Sequence, residues 1–175
     1  VYRALVVILT NAPDNSTIQL PVTLVVPTYQ QGIDAGGGAD TNSNGDVFAA
    51  DRPYGSGPYG YLGSSSAKST TSPIAGTEDD SLYQDRRVGM TDYRFGVPDG
   101  VYQVDLLLGE IDNVRAGGRR FEVSIEGGLV LPSLDVFAAA GGKNIALERS
   151  FVVNVEDGLL DIAFGAQRGD KPIVN

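Results

Sequence analysis

Apolar and polar residues alternate with a period of two along much of the second half of the chain. In residues 101–108, Tyr102, Val104, Leu106 and Leu108 fall on one side and Gln103 and Asp105 on the other, which predicts a strand with one buried face. Phe121, Val123 and Ile125 alternate with Glu122, Ser124 and Glu126 before Gly127-Gly128 turns the chain. Phe151, Val153 and Val155 repeat the scheme as far as Asp157-Gly158, and Leu160, Ile162 and Phe164 complete a predicted hairpin around that turn. No long segment holds apolar residues at helical spacing. Short strands at close intervals, punctuated by 23 glycines, predict an all-β protein built as an antiparallel, jelly-roll-like β-sandwich.

Two further segments complete the organisation. Residues 2–10 and 17–26 are apolar strands flanking the turn-rich Asn11-Ala12-Pro13-Asp14-Asn15-Ser16, so residues 1–27 read as an N-terminal β-hairpin and residues 28–175 as the sandwich. In the first of these strands Ala4, Val6 and Ile8 as well as Leu5, Val7 and Leu9 are apolar, so both faces call for cover. The hairpin resembles the last two strands of tandem immunoglobulin-fold repeats. It is expected to pack on an upstream domain or, by strand addition, on a second copy of the chain, in preference to folding back over its own sandwich. Between residues 33 and 77 the composition shifts to Gly, Ser, Asn, Asp, Tyr and Pro, which predicts a long loop region of the kind that carries binding function.

Composition narrows the chemistry. With 13 Lys plus Arg against 22 Asp plus Glu, the formal charge of -9 disfavours nucleic acid and anionic membrane surfaces as partners. His and Cys are both absent, which removes Ser-His-Asp and Cys-His nucleophile systems, thiolate chemistry and nearly every transition-metal site. The longest apolar run, residues 20–26, is far shorter than the roughly 20 residues that span a bilayer, so no membrane insertion is expected.

Several motifs in order carry a family resemblance: Asp34-Ala35-Gly36-Gly37, Leu82-Tyr83-Gln84, the run 95–102, Gly109-Glu110, Arg119-Arg120-Phe121-Glu122-Val123, Asp135 and Ala140-Gly141-Gly142. With these residues the chain from Ile33 to Asn175 resembles a malectin domain, the β-sandwich carbohydrate-binding module of an endoplasmic-reticulum lectin and of many bacterial surface proteins and glycosidase appendages. The resemblance implies a non-catalytic module that binds a glucan-like glycan in a loop-lined cleft. There, aromatic faces meet the apolar side of a pyranose and carboxylates meet its hydroxyls. Carried over by position, it places glycan contacts at Tyr59, Tyr61, Glu110, Asp112 and Asp170. The chain also departs from the pattern, with Val88, Asp112 and Asn113 standing where the family has rings. Each missing ring removes a contact worth ~0.5–1.5 kcal/mol. The family pattern also runs a few residues beyond Asn175, so the chain is expected to stop inside its last strand. The alternative implied by the departures is a structural block of a surface filament that has kept the sandwich and lost the sugar site.

Three other constellations compete with simpler explanations. Asp40-Thr41-Asn42-Ser43-Asn44-Gly45-Asp46, followed by Asp51, matches the oxygen-ligand spacing of a calcium loop, although surface turns use the same residues. No other cofactor is expected. Asn15-Ser16-Thr17 is a glycosylation sequon, a triplet that chance also supplies. Asp79-Asp80 with Arg86-Arg87 reads as solvated surface charge.

Overall fold

A computed structural model describes residues 2–11, 17–24, 27, 29–112, 115–169 and 171–175. The chain divides into two compact units, Val1–Gln30 and Gln31–Asn175. In the first, β1 (Tyr2–Leu9) and β2 (Thr17–Leu24) pair antiparallel from Tyr2 opposite Leu24 to Leu9 opposite Thr17. Exposed apolar side chains stand on both faces of β1, Leu5, Val7 and Leu9 on one and Val6 and Ile8 on the other, as the unbroken apolar run predicts. The turn at residues 12–16, with the sequon residue Asn15, lies outside the described residues.

The stretch expected to be a long loop carries five short strands instead. They are β3 (Gly32–Asp34), β4 (Asp40–Thr41), β5 (Val47–Ala50), β6 (Tyr59–Leu62) and β7 (Ser66–Ser69). The first three form a small sheet of order β3-β5-β4. Glycines at positive φ, among them Gly45, Gly55 and Gly63, turn the chain between these strands. Composition hid them because they take their stability from a partner's backbone ladder: every residue of β7 is exposed.

A one-turn helix, α1 (Ser81–Gln84), leads into β8 (Asp85–Val88), β9 (Asp92–Gly96), β10 (Gly100–Gly109), β11 (Arg119–Ile125) and β12 (Gly128–Leu134). Then follow α2 (Val136–Ala140), β13 (Ala146–Val155), β14 (Leu159–Gly169) and β15 (Ile173–Val174). One layer of the sandwich has the order β12-β11-β14-β9-β6. In the other, β7-β8-β15 is joined to the β10-β13 pair through the Asn175 N–H, which donates to the Leu107 carbonyl at 3.0 Å. The core between them holds Leu106 and Leu108 from β10, Phe121, Val123 and Ile125 from β11, and Ile162 and Phe164 from β14, all buried. Gln103 and Asp105 are exposed, so β10 alternates as its sequence predicts.

The predicted hairpin of residues 151–164 is corrected by the pairing. β13 pairs with β10, Phe151 opposite Val104, whereas β14 pairs with β11 and β9 in the other layer. The turn at Asp157-Gly158 is therefore a crossover between layers. It is tied to the 97–99 turn, because the Gly158 N–H donates to Asp99 Oδ1 and the Gly158 carbonyl accepts from the Val97 N–H. Alternation shows which face of a strand is buried and is silent about which strand lies beside it.

Candidate functional site

Strand β8 organises two polar clusters because its side chains alternate between its two faces. Arg86 and Val88 are buried, while Arg87 points the other way. Arg86 is 0 % exposed, so the expectation of a solvated charge pair at Arg86-Arg87 fails for it outright. Its partner is Glu110, at the end of β10 and also 0 % exposed, whose Oε1 accepts from Arg86 Nη1 at 2.6 Å. Glu110 Oε2 accepts from Nε of Arg119, the first residue of β11 and 2 % exposed, at 2.9 Å. One carboxylate thus bridges two buried guanidiniums by charge-assisted hydrogen bonds, while Arg86 Nε has no hydrogen-bond partner among the described residues.

This buried triad forms the floor of an open cleft. Asp112 Oδ2 meets Arg86 Nη2, Arg119 Nη2 at 3.2 Å and Lys68 Nζ at 3.2 Å. Partial burial pushes the Asp112 carboxyl up, but Arg86 and Lys68 outweigh it and hold the group below its usual range. Arg119 Nη1 also donates to the Lys171 carbonyl, which fastens the last turn of the chain to the same floor. The cleft has a volume of about 310 Å³ and is lined by Ser66, Lys68, Val88, Asp112, Arg119 and Lys171.

Of the five sequence-derived contact residues, Asp112 lines this cleft and Glu110 lies beneath it. Asp170, next to the lining residue Lys171, lies outside the described residues, as does Asn113. Tyr59 and Tyr61 are not among the lining residues. Tyr59 is 8 % exposed, donates to the Ala50 carbonyl at 3.2 Å, lies under the Arg52 guanidinium at 3.8 Å and stacks on Phe95. Tyr61 lies under Arg87 at 4.0 Å and meets Tyr93 edge to face. The cleft residues missed in the sequence are Lys68, Arg119 and Lys171: none carries a stacking ring, and Arg119 stands in a resemblance motif without having been read as a site residue.

Asp51 holds the second cluster. Its Oδ2 accepts from the Gly36 N–H at 2.6 Å, Arg87 Nε at 2.7 Å and the Tyr93 hydroxyl at 2.9 Å. Burial first, then the Asp51 charge, pushes the Tyr93 phenol far up. Asp51 therefore ties the glycine turn to β8 and β9. In the 40–46 loop, Asn42 Oδ1 accepts from the Asn44 and Asp46 N–H groups at 3.1 and 2.7 Å. Among the described residues no group of three or more His, Cys, Asp or Glu is placed to hold a metal ion. Asp135 caps α2, accepting from the Ala138 N–H at 3.0 Å and the Gly117 N–H at 2.5 Å.

Asp34 is 4 % exposed and its Oδ1 has no hydrogen-bond partner among the described residues. Burial, then the charges of Asp85, Asp40 and Asp51, raise its pKa from 3.8 to about 7. A carboxyl with a raised folded-state pKa contributes stability that is complete below about pH 4 and is lost as the pH climbs through about 7. Asp34→Asn, which removes the charge and keeps the shape, is expected to stabilise the fold at pH 8 by an amount on the order of 2 kcal/mol, with the melting temperature rising accordingly. At pH 4.5 it should change little. Thermal melts of both proteins at the two pH values check this, and equal shifts at both would refute the assignment.

Residues 29–175 match the family model of the malectin domain. The chain belongs to the malectin domain family. Among curated proteins none matches the sequence. Solved structures share the fold. A β-glucuronidase of Bacteroides uniformis superposes with a TM-score of 0.76 at 24 % identity, over 94 % of this chain and 20 % of the enzyme. The ANXUR2 extracellular domain from Arabidopsis thaliana gives 0.70 at 14 % identity, over 83 % and 46 %. A complex of the plant peptide RALF23 with FER and LLG2 gives 0.65 at 17 % identity, over 96 % and 50 %. This malectin domain thus spans a fifth to a half of the chains it resembles. No helix among the described residues is long and apolar enough to cross a membrane.

Proposed function

We propose that this malectin domain is a non-catalytic, extracellular or cell-surface module that binds carbohydrate in the cleft over Arg86, Glu110 and Arg119. One observation carries this: an open, polar cleft is lined by Val88 and Asp112, the very positions at which the family resemblance puts its sugar-facing rings. Its volume of about 310 Å³ lies at the lower end of the ~300–1,000 Å³ typical of small-molecule sites, the scale of one or two sugar residues. The rigid floor supports binding without rearrangement, since its charges are already paired before a ligand arrives. Glucans, the class implied by the resemblance, are the first ligands to titrate.

Calorimetry with a panel of oligosaccharides, run on the parent and on Ser66→Trp, tests the site. Ser66 is exposed on β7, so an indole there should block the cleft and leave the fold intact. Loss of at least tenfold in affinity, with an unchanged circular dichroism spectrum, is expected. Binding that survives the indole would move the site elsewhere, and no binding by the parent would favour the structural block that has lost its sugar site.

A further inference from the structure

The register of the N-terminal hairpin distinguishes its two faces and its two edges. Residues directly opposite each other in an antiparallel pair project to the same face. Ala4, Val6 and Ile8 stand opposite Val22, Leu20 and Ile18, so one face is apolar across both strands. On it Val6, Ile8, Ile18, Leu20 and Val22 are 37–47 % exposed, so nothing among the described residues covers them. Leu5, Val7 and Leu9 stand opposite Pro21, Gln19 and Thr17, so the other face is apolar along β1 alone. The edges differ as well. A hydrogen-bonded pair needs an N–H from each residue and Pro21 has none, yet the ladder runs unbroken through Leu5 and Pro21. That pair is therefore a non-hydrogen-bonded one, and the odd-numbered residues of both strands turn their N–H and C=O groups outward. On β2 the outward row is interrupted at Pro21, as in an edge strand. On β1 the row is complete from Arg3 through Leu5 and Val7 to Leu9, and no strand among the described residues pairs with it.

An open edge and an open apolar face place two demands on a partner. Two copies joined antiparallel along β1 would satisfy the edge but lay both apolar faces on the same side, doubling the exposed area. Two copies stacked face to face would cover the faces and leave both edges open. A partner that lays a strand beside β1 and an apolar layer opposite it meets both demands, and that partner is the remainder of a β-sandwich. The Bacteroides uniformis β-glucuronidase supports the same occupant. Its superposition covers 94 % of this chain, more than the 145 of 175 residues in Gln31–Asn175, so the shared fold reaches into the hairpin. Only 20 % of the enzyme's chain is used in the match.

We infer that the hairpin is a strand pair of a β-sandwich whose other strands come from the polypeptide ahead of Val1, with β1 an interior strand, β2 its edge, and Val6, Ile8, Ile18, Leu20 and Val22 facing its core. Amide exchange followed by NMR tests this, on residues 1–175 and on the same chain extended by the roughly 100 residues that precede it in the natural polypeptide. In the shorter chain the amides of Leu5, Val7 and Leu9 should exchange freely. In the longer one they should slow at least about 100-fold, while those of Thr17 and Gln19 stay fast. Val7→Pro and Gln19→Pro form a matched pair, since the two residues stand opposite each other and neither N–H points into the hairpin. In the longer chain Val7→Pro should lower the melting temperature of the added sandwich by at least about 5 °C, and Gln19→Pro by less than about 2 °C. Fast β1 amides in the longer chain, protection of the β2 amides instead, or equal effects of the two prolines overturns the inference. Protection of the β1 amides already in the shorter chain overturns it too, in favour of a second copy if light scattering gives twice the mass, and of the chain's own sandwich if it gives the mass of one chain.

Discussion

Glu110→Ala is expected to unfold the sandwich roughly 10 °C below the parent. The substitution leaves Arg86 and Arg119, which are 0 % and 2 % exposed, without the carboxylate that both share. Removing one partner of a buried ionic group costs ~3–5 kcal/mol, and here Asp112, already shared with Lys68, would be left to match both buried guanidiniums alone. For a domain of this size each kcal/mol is worth about 2–4 °C. Here the Asp112 N–H also loses its acceptor, Glu110 Oε1 at 2.9 Å, so the cleft wall should loosen together with its floor. Urea denaturation should show the midpoint falling with an unchanged slope. A melting temperature within about 2 °C of the parent would mean that the triad has little net value and that Arg86 finds solvent by another route.

Gly36→Ala should be nearly as damaging for a different reason. Gly36 has φ +93°, and a Cβ built on it would lie 2.2 Å from the carbonyl oxygen of Arg86 and 2.3 Å from its carbonyl carbon. The colliding atoms are β8 backbone, so no side chain can swing aside. Left-handed strain alone costs about 1–3 kcal/mol, and the overlap adds to it by prying the glycine turn away from the strand that carries the floor of the cleft. Gly38 supplies the internal control: a Cβ there meets nothing within 4 Å and its φ is not positive. Gly38→Ala should therefore stay within about 1 kcal/mol of the parent. Denaturation curves of the two variants should separate by at least ~3 kcal/mol. Equal curves would show that the turn does not brace β8.

That contrast marks how far the residues could be read before the fold was seen. Asp34-Ala35-Gly36-Gly37 was recognisable as a motif, but which glycine matters depends on the strand packed behind it, 50 positions along the chain. β10 was legible because its apolar residues bury against one opposing layer, whereas β7 has nothing apolar to betray it and exists because β8 offers a ladder. The crossover at residues 156–158 looked like a hairpin since both connect alternating strands by an Asp-Gly turn. At the site, the replacement of rings by Val88 and Asp112 is legible through the family resemblance. What replaced them was not, because Lys68, Arg86, Arg119 and Lys171 come from four separate segments. Tyr59 and Tyr61 follow from carrying the family pattern over by position, and their rings lie beneath Arg52 and Arg87.

The account stands on one claim, that the cleft between Ser66, Val88 and Lys171 is where a glycan binds. A titration of the isotopically labelled protein with maltotriose, followed by amide chemical shifts, tests it most directly. The expected result is a set of shifts confined to the amides of Ser66 to Ser69, Val88, Gly89, Asp112 and Lys171, saturating with one affinity. Shifts centred on Tyr54, Tyr59 and Tyr61, with those amides silent, would contradict it.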